Sequence, residues 1–178
     1  MIFFLSLIIL CKSFKLSNNY DINSTNKHEI QQKDLCEYED QDFDVNNNDI
    51  SSCTSINFHN VKFIVADEGI IMEVKNIDNV NINNCTYKNS QKSPSSSLLS
   101  FTNTNVFIEE LLLDFTDLSE YITSPLLYFN STETTQTHNS QLSVTIVNVK
   151  IGNGCNIIFS KDYSIEISST TIKSVEVS

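Results

Sequence analysis

The sequence predicts an all-β chain: a parallel β-helix, or solenoid, of about five coils, preceded by a polar N-terminal lead-in. Three observations predict it: the composition, an eight-residue apolar frame that recurs, and a shorter apolar block between its copies. The chain has 178 residues, 40% of them hydrophobic, enough for one domain with a real core. It holds 21 Ile and 14 Thr but a single Ala, Ala66, and no Arg. Ile and Thr are β-branched and favour strands, whereas Ala and Arg are the helix formers that are scarce here. A net charge of −11 argues against a nucleic-acid partner, because phosphates must be neutralised by Lys and Arg.

Residues 2–10 are almost wholly apolar, too short to span a bilayer, and are followed by Cys11, Lys12 and Ser13. We read 1–13 as a signal peptide. Residues 14–51 are polar and acidic, with no sustained period, and read as a disordered lead-in or an N-terminal cap. Removal of 1–13 leaves Cys36, Cys53, Cys85 and Cys155 as candidate disulfide cysteines, an even count that permits two bonds in three connectivities. Cys36 with Cys53 would staple the lead-in to the first coil. The sequons at Asn23, Asn84 and Asn130 are candidate N-glycosylation sites.

Residues 52–178 carry the repeat. The frame is apolar-x-apolar-x-x-(apolar, Cys or Thr)-x-apolar, and it fits 56–63, 80–87, 106–113, 144–151 and 165–172. The shorter block falls at 71–74, 98–101, 126–129 and 157–159. Residues 130–143 read as a loop insertion in an otherwise regular turn. Apolar-x-apolar is the strand period, with one face turned inward. In the frame the phase breaks at two central residues, so two short strands meet at a tight corner. The corner pairs are His59-Asn60, Asn83-Asn84, Glu109-Glu110, Val147-Asn148 and Ser168-Ser169. Asn tolerates the left-handed conformation that such corners require. One such turn cannot bury its apolar face alone, and stacking on its neighbours completes the core. The competing architecture, an antiparallel sandwich, needs hairpin turns, for which Asn153-Gly154 is the one strong signal.

The stretch Val80-Asn-Ile-Asn-Asn-Cys-Thr-Tyr-Lys-Asn-Ser90 resembles coils of the right-handed parallel β-helix (pectin-lyase-like) superfamily. More narrowly, it resembles the Asn-rich secreted or surface β-helix proteins of AT-rich protists. The resemblance covers about Ser52 to Ser178. It implies right-handed winding and a rigid scaffold with binding surfaces on its sides, serving adhesion or surface display.

Chemistry is harder to place. A pectate-lyase-like site would use calcium-binding carboxylates and a cationic base, commonly the Arg that this chain lacks. A glycosidase would need two carboxylates about 5–9.5 Å apart. The strongest acidic group is Glu109, Glu110, Asp114, Asp117 and Glu120, which reads as a solvated surface patch. The three histidines, His28, His59 and His138, are scattered among lead-in, corner and insertion. Stacking would bring His59 near Asn83 and Glu109. Phe58, Phe63, Tyr87, Phe101 and Phe129 fall at inward positions, and Tyr121, Tyr128 and Tyr163 at outward ones. No catalytic, cofactor-binding or metal-binding residue is assigned.

The expected function is therefore non-enzymatic: a secreted or cell-surface module, structural or adhesive. The alternative is a polysaccharide-active enzyme fragment, a lyase or glycoside hydrolase. The expected partners are extracellular glycans or surface proteins. Val175-Glu-Val177 reads like the start of another strand, so the solenoid is expected to be open or truncated at its C-terminal end, inviting self-association there.

Overall fold

The structure is a computed structural model that describes residues 34–44, 47–64, 71–88, 93, 94, 96–133 and 137–178. The expected signal peptide, Asn23, His28 and the first part of the lead-in lie outside the described residues. Among the described residues there are fifteen strands and no helix. In chain order they are β1 (Asp34–Glu39), β2 (Asp42–Phe43), β3 (Cys53–His59), β4 (Lys62–Phe63), β5 (Met72–Lys75), β6 (Asn79–Asn83), β7 (Thr86–Lys88), β8 (Leu99–Thr102), β9 (Asn105–Asp114), β10 (Leu127–Asn130), β11 (Asn139–Val147), β12 (Lys150–Ile151), β13 (Ile158–Lys161), β14 (Ser164–Lys173) and β15 (Glu176–Val177).

The nine-stranded sheet runs β1-β3-β6-β9, continues from β9 through β11 to β14, and also runs from β9 through β7 and β4 to β2. β5, β8, β10 and β13 form a second sheet, and β12 pairs with β15 in a third. Every strand pairing among the described residues is parallel. That removes the antiparallel sandwich, because adjacent parallel strands need a long crossover rather than a hairpin. Gly154 does adopt a positive φ of 79°. Its turn joins β12 to β13, which pair with different strands and make no hairpin.

Register aligns like with like. Cys36, Ile56, Val80, Val106, Ser140 and Ile165 are successive partners on the inner face. Tyr38, Phe58, Ile82, Ile108, Leu142 and Ile167 form the next inner row. In the second sheet the rows are Met72-Leu99-Leu127-Ile158 and Val74-Phe101-Phe129-Ser160. The five aromatic residues expected inside, Phe58, Phe63, Tyr87, Phe101 and Phe129, are all buried. Tyr38 stacks on Phe58 with centroids 5.2 Å apart, and Phe101 on Phe129 at 5.4 Å. Burying one such side chain stabilises the fold by about 1.5–3 kcal/mol.

The corners account for five of the chain's 22 asparagines. Among the described residues, nine other than glycine have positive φ: Asp40, Asn60, Asn76, Asn84, Asn103, Glu110, Asn148, Asp162 and Ser174. Eight directly follow a strand end, and Glu110 lies within β9. Left-handed backbone is costly for most residues and least so for Asn and Asp. With three glycines in the chain, Asn and Asp turn seven of these nine corners.

Two expectations change. The copies at 56–63, 80–87, 106–113 and 165–172 are aligned, but the one at 144–151 is not. Val144 pairs with Leu111, and the partner of Val106 is Ser140. β11 is one residue short at the corner, where Ser143 stands against Glu109 and Glu110 on one side and against Ser169 on the other, with Ser168 left over. The corner at Val147-Asn148 is thus not equivalent to His59-Asn60. The insertion also shrinks, because Asn139 to Ser143 belong to β11. The second change is in the lead-in: β1 and β2 lie within 14–51 and extend the nine-stranded sheet. Phe43 is buried, and Tyr38 and Cys36 pack on the core. An irregular, acidic composition hid the alternation of Cys36, Tyr38 and Phe43.

Candidate functional site

Cys36 and Cys53 are joined by a disulfide, which ties β1 to β3. Cys85 and Cys155 are free thiols, so no second bond forms among the four candidates. Cys85 Sγ donates to the Asn83 carbonyl at 3.2 Å, and Cys155 Sγ to the Ser124 carbonyl at 3.2 Å. Burial raises the pKa of both. Asn84 is exposed at its corner, and its Nδ2, the atom a glycan would take, donates to Asn60 Oδ1 at 2.6 Å. Asn130 is half-buried at the end of β10, and its carbonyl accepts from Asn103 N at 3.0 Å.

The acidic group divides by partner. Glu109 Oε2 accepts from Asn83 Nδ2 at 3.0 Å. Asp114 accepts from the Thr116 backbone at 2.9 Å and from Asn148 Nδ2 at 3.3 Å. Partial burial pushes its pKa up, but bonds from Thr116 and Asn148 and the nearby Lys88 outweigh this and hold it below the usual value. Asp117 pairs with Lys88 at 3.2 Å, and Glu120 Oε2 accepts from Ser93 N at 3.4 Å. Glu109 and Glu110 line a groove of about 360 Å³ with Phe107, Ile108, Gln141, Ser143 and Ser168. The shortened corner of β11 lies on this groove. His59 pairs in register with Asn83, and Asn83 with Glu109, as stacking predicts.

A second feature was hidden from sequence reasoning. Among the described residues, the buried polar ones are Asn103, Thr104, Ser131, His138 and Ser140, all close to where β8 turns into β9 and β10 turns toward β11. His138 is 7% exposed. Its ring stacks on Tyr163 at 5.9 Å, and its carbonyl accepts from Ser164 N at 3.1 Å. Tyr163, expected on the outside, instead packs against the core and Phe129. Burial pushes its phenol above the usual range, with Ser140 and the Thr104 backbone acting in the opposite direction.

His138 Nε2, Ser140 Oγ and the Tyr163 hydroxyl are buried, and among the described residues none makes a hydrogen bond of good geometry, although Ser140 and the Thr104 backbone lie close enough to act on the Tyr163 phenol. Ser140 and His138 therefore do not form the hydrogen-bonded nucleophile–base pair that covalent catalysis uses. Glu133 Oε2 lies 3.6 Å from His138 Nε2. Both line a recess of about 210 Å³, together with Asn76, Asp78, Asn103 and Asn105. The sequence signal for this site was a histidine within the expected insertion at 130–143.

Among the described residues, no group of three His, Cys, Asp or Glu side chains is placed to hold a metal ion, and no helix is long and apolar enough to cross a membrane. Compared with protein-family models, curated proteins and solved structures, the chain matches none.

Proposed function

We propose that the chain is a right-handed parallel β-helix of about five coils, serving as a secreted or cell-surface module, structural or adhesive, with no reaction of its own. The observation that carries this reading is the pair of polar ladders on the outer face. Asp40, Asn60 and Asn84 are linked side chain to side chain. Glu37, Asn57 and Asn81 are linked in the same way. Successive partners in them stand 20 and 24 residues apart, the spacing of a winding chain. Ladders of this kind hold the outer side chains in fixed positions over an apolar interior, which suits display and adhesion. The Cys36–Cys53 bond fits an oxidising compartment.

The test is expression of the full chain in a eukaryotic secretory cell. Recovery from the medium or cell surface, with the N-terminus beginning at Phe14, is expected. Retention in the cytosol with residues 1–13 intact would overturn the reading. Self-association belongs to the same proposal. β14 pairs with β11 alone among the described strands, and Ile167, Ile172, Val175 and Val177 are exposed there. Light scattering should report mass rising with concentration.

One observation favours the enzymatic reading: two carboxylates, Glu109 and Glu110, share a groove with the exposed Phe107. Products released from neutral or acidic polysaccharides by the wild type, and not by the Glu109→Gln/Glu110→Gln variant, would establish it and displace the module.

A further inference from the structure

β14 pairs with β11 on one side and with no other strand among the described residues. Glu166 stands opposite Gln141 and Lys173 opposite Val147, both on the outer face. Ile167 and Ile172 stand opposite Leu142 and Ile146, which are buried, so both face inward. With no strand laid over them, they are 53% and 39% exposed. In an unbroken strand, residues an odd number of positions apart point to opposite faces. Here the extra residue at the corner, Ser168, shifts the phase, and Glu166 shares a face with Lys173 as Ile167 does with Ile172. The strand therefore shows the same pattern read in either direction. Reversed, Ile167 matches Ile172, Ser168 matches Thr171, Ser169 matches Thr170, and Glu166 meets Lys173, its opposite in charge.

We propose that β14 recognises itself: two copies of the chain join with β14 antiparallel to β14, about a two-fold axis at the corner between Ser169 and Thr170. Each Ile167 packs on Ile172 of the other copy, and each Glu166 pairs with Lys173 of the other copy, twice over by symmetry. Directly opposed side chains of antiparallel strands lie on one face, about 4.5–5.5 Å apart at Cβ, within reach of an ion pair. The free N–H and C=O groups of the β14 edge gain partners at the same time. Such a contact uses the same surface on both copies and closes, so no third copy adds to it. Charge opposes the head-to-tail alternative. β1, which pairs with β3 alone among the described strands, carries Asp34, Glu37 and Glu39 and no cation. Glu37, Asn57, Asn81, Phe107, Gln141 and Glu166 form one outer row, so continuing the stack would set Glu166 against Glu37 of the next copy. Like charges directly opposed are unfavourable. This inference rests on the self-association proposed above, and names its partner, register and stoichiometry.

The experiment is sedimentation equilibrium on the full chain, with charge exchange at the two outer positions. The mass should rise with concentration and level off at two copies. Glu166→Lys or Lys173→Glu turns two attractions into two repulsions and should raise the dimer Kd about tenfold or more. The double variant Glu166→Lys/Lys173→Glu should restore it. Both side chains are exposed, so these changes leave the core intact. A carbodiimide, which joins a carboxylate to an amine without a spacer, should link Glu166 to Lys173 in the dimer. Within one copy the two stand seven residues apart along β14, on the order of 20 Å, so that link must join two copies. The inference is overturned if Glu166→Lys tightens association, as head-to-tail stacking requires, if the single variants leave it unchanged, or if the double variant fails to recover it. Growth past two copies would overturn this geometry and leave self-association standing. A chain that stays monomeric at every concentration would remove both, while its recovery from the medium would still support the module.

Discussion

Asn84 tests the explanation of the corners most directly. Its φ is 49°, and its Nδ2 donates to Asn60 Oδ1 at 2.6 Å. Asn84→Ala removes two things: the tolerance for left-handed backbone, about 1–2 kcal/mol, and a partly exposed hydrogen bond, about 0.5–1.5 kcal/mol. Asn81 supplies the control. Its Nδ2 donates to Asn57 Oδ1 at 2.7 Å, but it sits within β6 and is not among the positive-φ residues. Asn81→Ala therefore loses only the bond. Asn84→Ala should be the more destabilising of the two by about 1–2 kcal/mol, the left-handed contribution alone. Asn84→Gly keeps the backbone and should recover most of that difference, less about 0.4–1 kcal/mol for the freer unfolded chain. Urea titrations of the three variants suffice, on protein made in an oxidising compartment that adds no N-glycan. If Asn84→Ala and Asn81→Ala cost the same, or Asn84→Gly is as damaging as Asn84→Ala, backbone conformation is not the reason for Asn at these corners.

Three further outcomes follow from the geometry. The Cys36–Cys53 bond closes a loop with a sequence separation of 17; loops of this size give about 3 kcal/mol in the chain-entropy model. A Cys36→Ser/Cys53→Ser variant should lose about that much in urea, and reductant should lower the wild type to the same level; a wild type indifferent to reductant would mean that the staple stabilises nothing. Burial pushes the Tyr87 phenol up, so the folded chain keeps a proton that the unfolded chain releases near pH 10. The folded state binds more protons there, so stability should fall as pH rises from about 9 to about 11, and Tyr87→Phe should flatten that fall in the urea midpoint. Ser140 occupies an inner row between Val106 and Ile165, and its hydroxyl and that of Tyr163 are buried near each other without reaching good hydrogen-bond geometry among the described residues. The Ser140→Val/Tyr163→Phe variant should be more stable by about 1 kcal/mol or more; a lower melting temperature would show that the two hydroxyls serve a bound group.

Short-range physics wrote the strand period and two of the corners into the chain. Strand period two placed Phe58, Phe63, Tyr87, Phe101 and Phe129 inside, and all five are buried. The break of phase, with Asn at its second position, located the corners at Asn60 and Asn84, because left-handed tolerance belongs to the residue itself. Tertiary structure decided what depends on partners far along the chain. The frame at 144–151 matched the template yet lies four residues out of step, since β11 lost one corner residue and its alternation runs on unbroken from Ser140 to Ile146. Cys36, Tyr38 and Phe43 sit among acidic neighbours, and only their pairing with Ile56, Phe58 and Phe63 makes strands of them. His138 read as one more polar residue in a long connection. It is buried because that connection brings it onto Tyr163, 25 residues further on and one strand away in the sheet. Local preferences recur with the sequence and can be counted there; register, burial of an insertion and the meeting of distant polar groups exist only once successive strands are laid side by side.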